Sequence, residues 1–171
     1  MADELGNHGG RELNEMKLYL ESLSLPGFRS YDNDIEKNCI RFGRANVVIG
    51  ANGDGKNNLS SFFEMIAFMM TKGLRNYIAQ RGGAQAQFYF GAKVTEKVCG
   101  LLHFSDSKSE CKDVYNFSFG TSITNQMFFK EEAMSYQKEG YGEPYQRDFG
   151  EEHAESGMVE DNAPTVNFLR N

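Results

Sequence analysis

A glycine-rich stretch with one lysine has the residue types and the spacing best suited to chemistry. Gly50 to Lys56 fits the pattern G-x-x-x-x-G-K, which is typical of a loop that binds phosphate groups. Glycine lets the backbone curl so that successive N–H groups point at phosphate oxygens, while Lys56 reaches the β and γ phosphates. A glycine-rich turn that binds no ligand is the alternative. We favour the phosphate loop, because the flanking segments suit it.

The residue after the lysine departs from this pattern. Asn57 stands where a Ser or Thr hydroxyl normally coordinates Mg²⁺. The Asn side chain is larger than Ser or Thr and places its amide oxygen differently from their hydroxyl. Asn57 is therefore the candidate metal ligand, but an impaired one. Asp54 adds a negative charge near the phosphates, which should weaken binding. Nucleotide binding is therefore expected to survive better than metal-dependent hydrolysis.

The segments on either side of the loop have the periodicities of a strand and a helix. Residues 46–49 form a short run that is rich in β-branched side chains and contains no charge, as in a strand covered on both faces. After the loop, apolar residues recur at helical spacing, at Leu59, Phe62, Phe63, Ile66, Met69 and Met70. The helix is expected to end near Lys72 and Gly73. A strand before the loop and a helix after it favour a phosphate site.

The rest of the chain is predicted to be mostly strands. These lie at residues 17–25, 39–42, 87–90, 98–104, 114–119 and 127–136, with a short helix at 74–80. The later strands are expected to form an antiparallel meander that flanks the sheet carrying the loop. We divide the chain into a flexible leader at 1–14, a folded head at 15–137 and a weakly ordered tail at 138–171.

Composition narrows the functional classes. The 171 residues carry a formal net charge of -6, which argues against direct nucleic-acid binding. The three cysteines are widely spaced and form no zinc-binding pattern, which favours a reducing cytoplasmic setting. No apolar run approaches the roughly 20 residues needed to span a bilayer, so we expect no membrane partner.

Two further groups of residues have a chemical and a structural interpretation. The aromatic run Phe88, Tyr89 and Phe90 could stack nucleic-acid bases, but few basic residues lie nearby and packing is favoured. His153 and Glu155 could form an acid–base pair or a metal site, but a loop histidine is favoured because no other histidine is near in sequence.

Four stretches of the chain resemble a known protein family. They are residues 23–30, 48–59, 79–84 and 150–156. Together they resemble predicted bacterial ATPases of the AAA family with an ABC-type head, relatives of the RecF, SMC and overcoming-lysogenization-defect proteins. The likeness covers nearly the whole chain after the leader.

The resemblance implies a fold and a ligand. The fold would be α/β, the N-terminal lobe of a P-loop NTPase ABC-type head with a flanking antiparallel β subdomain. The ligand would be ATP with Mg²⁺. The nucleotide-binding residues would be Gly50, Asn52, Gly53, Asp54, Gly55, Lys56, Asn57, Asn58 and Arg29. Arg29 matches a Phe-Arg-Ser segment that lies near the nucleotide in related heads, and a solvent-facing arginine in a turn is the alternative.

The motifs that complete such a head are not found after Gly83. These are the signature segment, the strand that ends in the Mg²⁺-binding Asp and the catalytic Glu, and the switch histidine. The chain thus resembles a family member that stops about midway, with a partly uncovered patch at Phe62, Phe63, Met69 and Met70. We expect an ATP-binding lobe that does not hydrolyse ATP alone. The alternative is an inactive interaction module that pairs with a second copy or with a full-length ATPase.

Overall fold

The structure is a computed structural model that describes residues 18–51, 55–106, 112–137 and 142–161, together with 165, 166 and 169. The described residues form six strands and two α-helices. In chain order these are β1 (Leu18–Ser24), β2 (Cys39–Arg41), α1 (Lys56–Met69), α2 (Leu74–Gln80), β3 (Val98–Asp106), β4 (Lys112–Thr121), β5 (Met127–Tyr136) and β6 (Tyr145–Gly150). Short 3-10 helices lie at Ala84–Gln87 and Gly157–Glu160.

The strands form one sheet with the order β2-β1-β3-β4-β5-β6. Every neighbouring pair is antiparallel. The expected α/β fold, an ABC-type P-loop NTPase head, is therefore wrong, because the described chain is a mostly β, antiparallel structure with two short helices. Successive strands that pair through short turns generate this arrangement, whereas a parallel sheet needs longer crossover connections.

The segment before the loop departs most clearly from expectation. Val47, Val48 and Ile49 belong to no strand, and their exposed fractions are 82%, 57% and 88%. Their β-branched side chains favour a strand, but no other described segment pairs with them. The phosphate-loop pattern thus follows an irregular stretch of chain rather than a buried strand.

Helix α1 packs its apolar side against the sheet. The ring of Phe62 stacks on that of Phe117 in β4, with centroids 6.2 Å apart, and meets Phe28 edge-on at 5.6 Å. Gly100 of β3 makes room for the Phe117 ring, since a Cβ there would lie 2.2 Å from it. The apolar patch expected on α1 is mostly covered, because Phe62, Met69 and Met70 are buried and Phe63 alone of that set is exposed.

Several predicted elements are confirmed and others are not. The strands predicted near β1, β2, β3, β4 and β5 are present, as is α2. The strand predicted at 87–90 is wrong, because a 3-10 helix and a turn occupy that region. The stretch assigned to the tail contributes β6. Among the described residues, no helix has the length and apolar character to cross a membrane.

The segment after β6 runs back over β5 and reaches α2. His153 forms an antiparallel bridge with Phe129, and their rings stack with centroids 4.6 Å apart. The side chain of Glu155 instead accepts hydrogen bonds from the backbone N–H groups of Leu74 and Arg75, at 3.0 and 3.2 Å. His153 thus attaches this segment to β5, and Glu155 attaches it to α2.

A buried carboxyl group lies where this segment crosses β5. Glu132 accepts hydrogen bonds from the hydroxyls of Tyr115 and Ser156, at 2.6 and 2.5 Å, and from the N–H of Gly157 at 2.8 Å. The imidazole Nε2 of His153 lies 3.6 Å from the second carboxyl oxygen. Burial, together with the adjacent Glu132, raises the pKa of Tyr115 well above its usual value. Tyr115 therefore remains a neutral donor.

Candidate functional site

Three segments meet at the start of α1. They are the turn after β1, the first residues of α1 and the stretch that follows α2. Phe28 and Phe88 form an isolated antiparallel bridge, flanked by hydrogen bonds from Arg29 N–H to the Gln87 carbonyl at 2.9 Å and from Tyr89 N–H to the Gly27 carbonyl at 2.8 Å. This short pairing joins parts of the chain that are far apart in sequence.

Helix α1 begins after Gly55, at a position whose backbone conformation favours glycine. Gly55 has φ 86°, in the left-handed region, and a Cβ there would lie 2.8 Å from the Ser30 hydroxyl oxygen. Its carbonyl accepts the first helical hydrogen bonds, from Asn58 at 2.9 Å and Leu59 at 3.1 Å. No side chain among the described residues caps this N-terminus, and the first turn contains no acidic residue. The positive end of the helix dipole is therefore not neutralised by the helix itself.

The lysine of the pattern folds back over its own loop. The Lys56 ammonium donates hydrogen bonds to the carbonyl oxygens of Gly50 and Ala51. An ammonium group has three donors, so one N–H remains for another acceptor in this arrangement. Lys56 thus places a positive charge at the loop while closing it on itself.

Arg29 adds a second cation nearby, in an unusual conformation. Its φ is 51°, in the left-handed region that few residues other than glycine adopt. Its guanidinium donates from Nε and Nη2 to the Gln87 side-chain oxygen, at 3.0 and 2.8 Å, and lies 5.3 Å from the centre of the Phe28 ring. The orientation of the Arg29 charge is consequently well defined.

A cavity of about 660 Å³ opens beside the start of α1. It is lined by two cationic residues, two small polar residues and a mainly aromatic wall, namely Arg29, Arg81, Ser30, Asn58, Ala86, Phe88, Tyr89 and Phe90. Asn58 donates to the Ser30 hydroxyl at 2.8 Å. The Phe90 ring is 76% exposed and meets Tyr89 edge-on at 4.5 Å. The cavity is a groove that is largely open to solvent rather than an enclosed pocket.

Of the predicted site residues, Arg29 and Asn58 line this cavity, and Gly55, Lys56 and Asn57 lie at the start of α1. Gly50, Gly55, Lys56, Asn57, Asn58 and Arg29 are described, whereas Asn52, Gly53 and Asp54 lie outside the described residues. The predicted metal ligand Asn57 is exposed. The described part of the chain contains no group of three or more His, Cys, Asp or Glu residues arranged to hold a metal ion.

Sequence reasoning missed the residues that complete the cavity. Gln87, which holds Arg29, was assigned to a strand. Arg81 is one of the few basic residues near the aromatic run, and the sequence predicts no site role for it; in the structure it pairs with Glu64 of α1 at 2.6 Å. The aromatic run divides, because Phe88 is buried as expected for packing while Phe90 is exposed. Burial decreases along the run, from buried Phe88 through half-buried Tyr89 to exposed Phe90, and no pattern in the sequence indicates this.

The arrangement suits a ligand that carries both an anionic and an aromatic part. An uncapped helix N-terminus, a lysine and an arginine favour phosphate, and an exposed aromatic ring favours a planar base. Comparison of the chain with models of protein families, with curated proteins and with solved structures found no match.

Proposed function

We propose that this protein binds a nucleoside triphosphate, with ATP as the preferred ligand, at the start of α1. The observation that supports this most is the position of the glycine–lysine pattern. Gly55 and Lys56 begin a helix that no described side chain caps, and Asn58 in its first turn lines a cavity together with Arg29 and the exposed Phe90. Cations, a helix dipole and an aromatic surface then act on a single ligand. The setting we propose is the cytoplasm.

Each part of the site has a role in this proposal. The α1 N-terminus and Lys56 hold the terminal phosphates, and Arg29 supplies further positive charge. Phe90 and Tyr89 contact the base. Bound Mg²⁺ would supply additional charge neutralisation, with the Asn57 amide oxygen as its candidate protein ligand. Because an amide replaces the usual hydroxyl, we propose binding without appreciable hydrolysis by this chain alone.

Thermal unfolding with and without millimolar ATP tests this proposal directly. A ligand that binds only the folded state raises its stability, by about 2.7 kcal/mol at a concentration one hundred times Kd. We expect ATP to raise Tm, and we expect Lys56→Ala to remove most of that increase. Lys130→Ala is the matched control, since Lys130 is an exposed lysine on β5. Parallel melts with Mg²⁺ measure what the metal adds.

The outcomes separate clearly. A cooperative melt of the unsubstituted chain at the same Tm with and without ATP contradicts nucleotide binding. If ATP raises the Tm of the Lys56→Ala variant as much as that of the unsubstituted chain, the proposed role of Lys56 is contradicted, but ATP binding is not. ATP turnover at ordinary rates by the isolated chain contradicts the proposed lack of hydrolysis.

One observation favours a second candidate function, that of an interaction module. The exposed run Val47, Val48 and Ile49 leads directly into the loop. Consecutive exposed β-branched residues are rare on monomers, because they readily pair with another chain. The partner in this proposal is a second copy or a related full-length ATPase, and not nucleic acid, since the net charge of -6 opposes it.

Sedimentation velocity over a range of protein concentrations tests the second candidate. We expect concentration-dependent association that the double variant Val47→Ser, Ile49→Ser abolishes. Ile123→Ser is the control, because Ile123 is fully exposed at the turn between β4 and β5. A chain that stays monomeric throughout the concentration range contradicts self-association. Lys56→Ala separates the two candidates, since it should leave association unchanged.

A further inference from the structure

Gln87 is a completely buried polar side chain whose hydrogen bonds join the turn after α2 to Arg29 of the candidate site. Its Nε2 donates to the carbonyl oxygens of Arg81 and Gly83, at 3.1 and 3.3 Å. Its Oε1 accepts both hydrogen bonds from the Arg29 guanidinium. Because Nε2 faces two carbonyl groups, the amide oxygen has to face Arg29. The orientation of the amide is thus determined by its surroundings.

The chemistry of this acceptor matters for the arginine it holds. A glutamine oxygen carries no net charge, so it orients the guanidinium without neutralising it. A guanidinium has five N–H donors, and Gln87 occupies two of those on Arg29. In the part of the chain that the structure describes, no other acceptor is found for the remaining donors, so they and the positive charge can meet a ligand in the cavity that Arg29 lines. A carboxylate at this position would have cancelled that charge.

The backbone around this pair reinforces the arrangement. Arg29 N–H donates to the Gln87 carbonyl at 2.9 Å, so the two residues are joined through main chain and side chain. Phe28 lies under the guanidinium and packs against Phe62 of α1. The strained φ of Arg29 is therefore maintained by contacts on both sides.

We propose that Gln87 is a positioning residue that holds the Arg29 guanidinium toward the cavity so that it contacts a phosphate of the ligand. This inference rests on the proposed nucleotide-binding function. Gln87 itself does not touch the ligand. Its contribution is specificity for phosphorylated ligands over the corresponding nucleoside.

The test compares affinities for ATP, AMP and adenosine, measured by isothermal titration calorimetry on the full chain. Gln87→Met keeps the side-chain length but removes the acceptor. We expect it to weaken ATP binding about tenfold and adenosine binding less than about twofold. The control is Gln146→Met, on the exposed edge strand β6, which should leave both affinities unchanged.

A double-variant cycle shows whether Gln87 acts through Arg29. We expect Arg29→Gln to weaken ATP binding at least as much as Gln87→Met does, and the double variant to be no weaker than Arg29→Gln alone. Additive losses overturn the proposal, as does an equal loss of ATP and adenosine affinity in Gln87→Met. If the unsubstituted chain binds no nucleotide at all, the proposed function fails and this inference fails with it.

A measurement on the unsubstituted chain covers the case in which Gln87→Met does not fold. The NMR signal of the Arg29 Nε–H group, assigned by its loss in Arg29→Lys, should exchange slowly with solvent because Gln87 accepts its hydrogen bond. ATP should shift this signal and adenosine should not. An unshifted signal at saturating ATP overturns the proposal.

Discussion

At the scale of single residues, Gly100 limits what β3 tolerates. The Phe117 ring occupies the space where a side chain would begin, since an added Cβ would lie 2.2 Å from its nearest atom. We expect Gly100→Ala to lower the free energy of unfolding by about 1–3 kcal/mol through overpacking, measured by urea unfolding. Gly142→Ala is the control, because an added Cβ there meets nothing within 4 Å. Equal unfolding free energies for both variants would contradict this packing.

The buried phenol of Tyr115 predicts a pH dependence of stability. Burial and the adjacent Glu132 raise its pKa, so the folded state keeps this proton where an unfolded tyrosine, with a pKa of about 10, releases it. The folded state then binds more protons, and the stability contributed by Tyr115 is lost as the pH rises above about 10. We expect the difference in unfolding free energy between the unsubstituted chain and Tyr115→Phe to narrow between pH 9 and 11. A constant difference would contradict this coupling.

Individual site residues were predictable only where a pattern exists. Lys56 and Gly55 follow a motif with a known physical basis. Gln87 belongs to no motif, and an amide in a polar stretch resembles any exposed loop residue. Its side-chain oxygen accepts from Arg29, which is 58 positions away in the sequence. Such a pair becomes visible only when the fold is known.

At the scale of elements, α2 depends on a residue from outside the helix. Gly73 precedes it and provides no side-chain cap, while the Glu155 carboxylate accepts from the N–H groups of Leu74 and Arg75. We expect Glu155→Ala to lower the free energy of unfolding by about 1 kcal/mol and to speed hydrogen exchange of these two amides. Glu151→Ala is the control, since Glu151 is exposed. Unchanged exchange at both amides would contradict the capping role.

The elements themselves were predicted best where periodicity is strong. The apolar spacing of α1 identified a helix, and the strand predicted at 127–136 has the bounds of β5. The run 46–49 failed because β-branched composition indicates a tendency to form a strand but not the presence of a pairing partner. Strand β6 was missed because the three residues between its aromatic Tyr145 and Phe149 are polar and exposed, as is common for an edge strand.

At the scale of the whole molecule, the direction of strand pairing decided the fold class. A phosphate-loop pattern suggested an α/β head, whereas the short polar turns between the later strands predicted an antiparallel meander beside it. In the described chain, the consecutive strands from β3 to β6 all pair in antiparallel fashion. Function argued from the loop is thus separate from the fold first expected around it.

The pairing of β1 with β3 has a consequence for the order of folding. Strands β3 to β6 are joined by neighbouring hairpins, whereas contacts such as Ser105 with Glu21 link residues 84 positions apart. Closing so long a loop is entropically slow, so it should follow hairpin formation. The candidate site lies within this loop. In refolding experiments, nucleotide binding should therefore reappear only with the slowest phase, after most β-structure has returned.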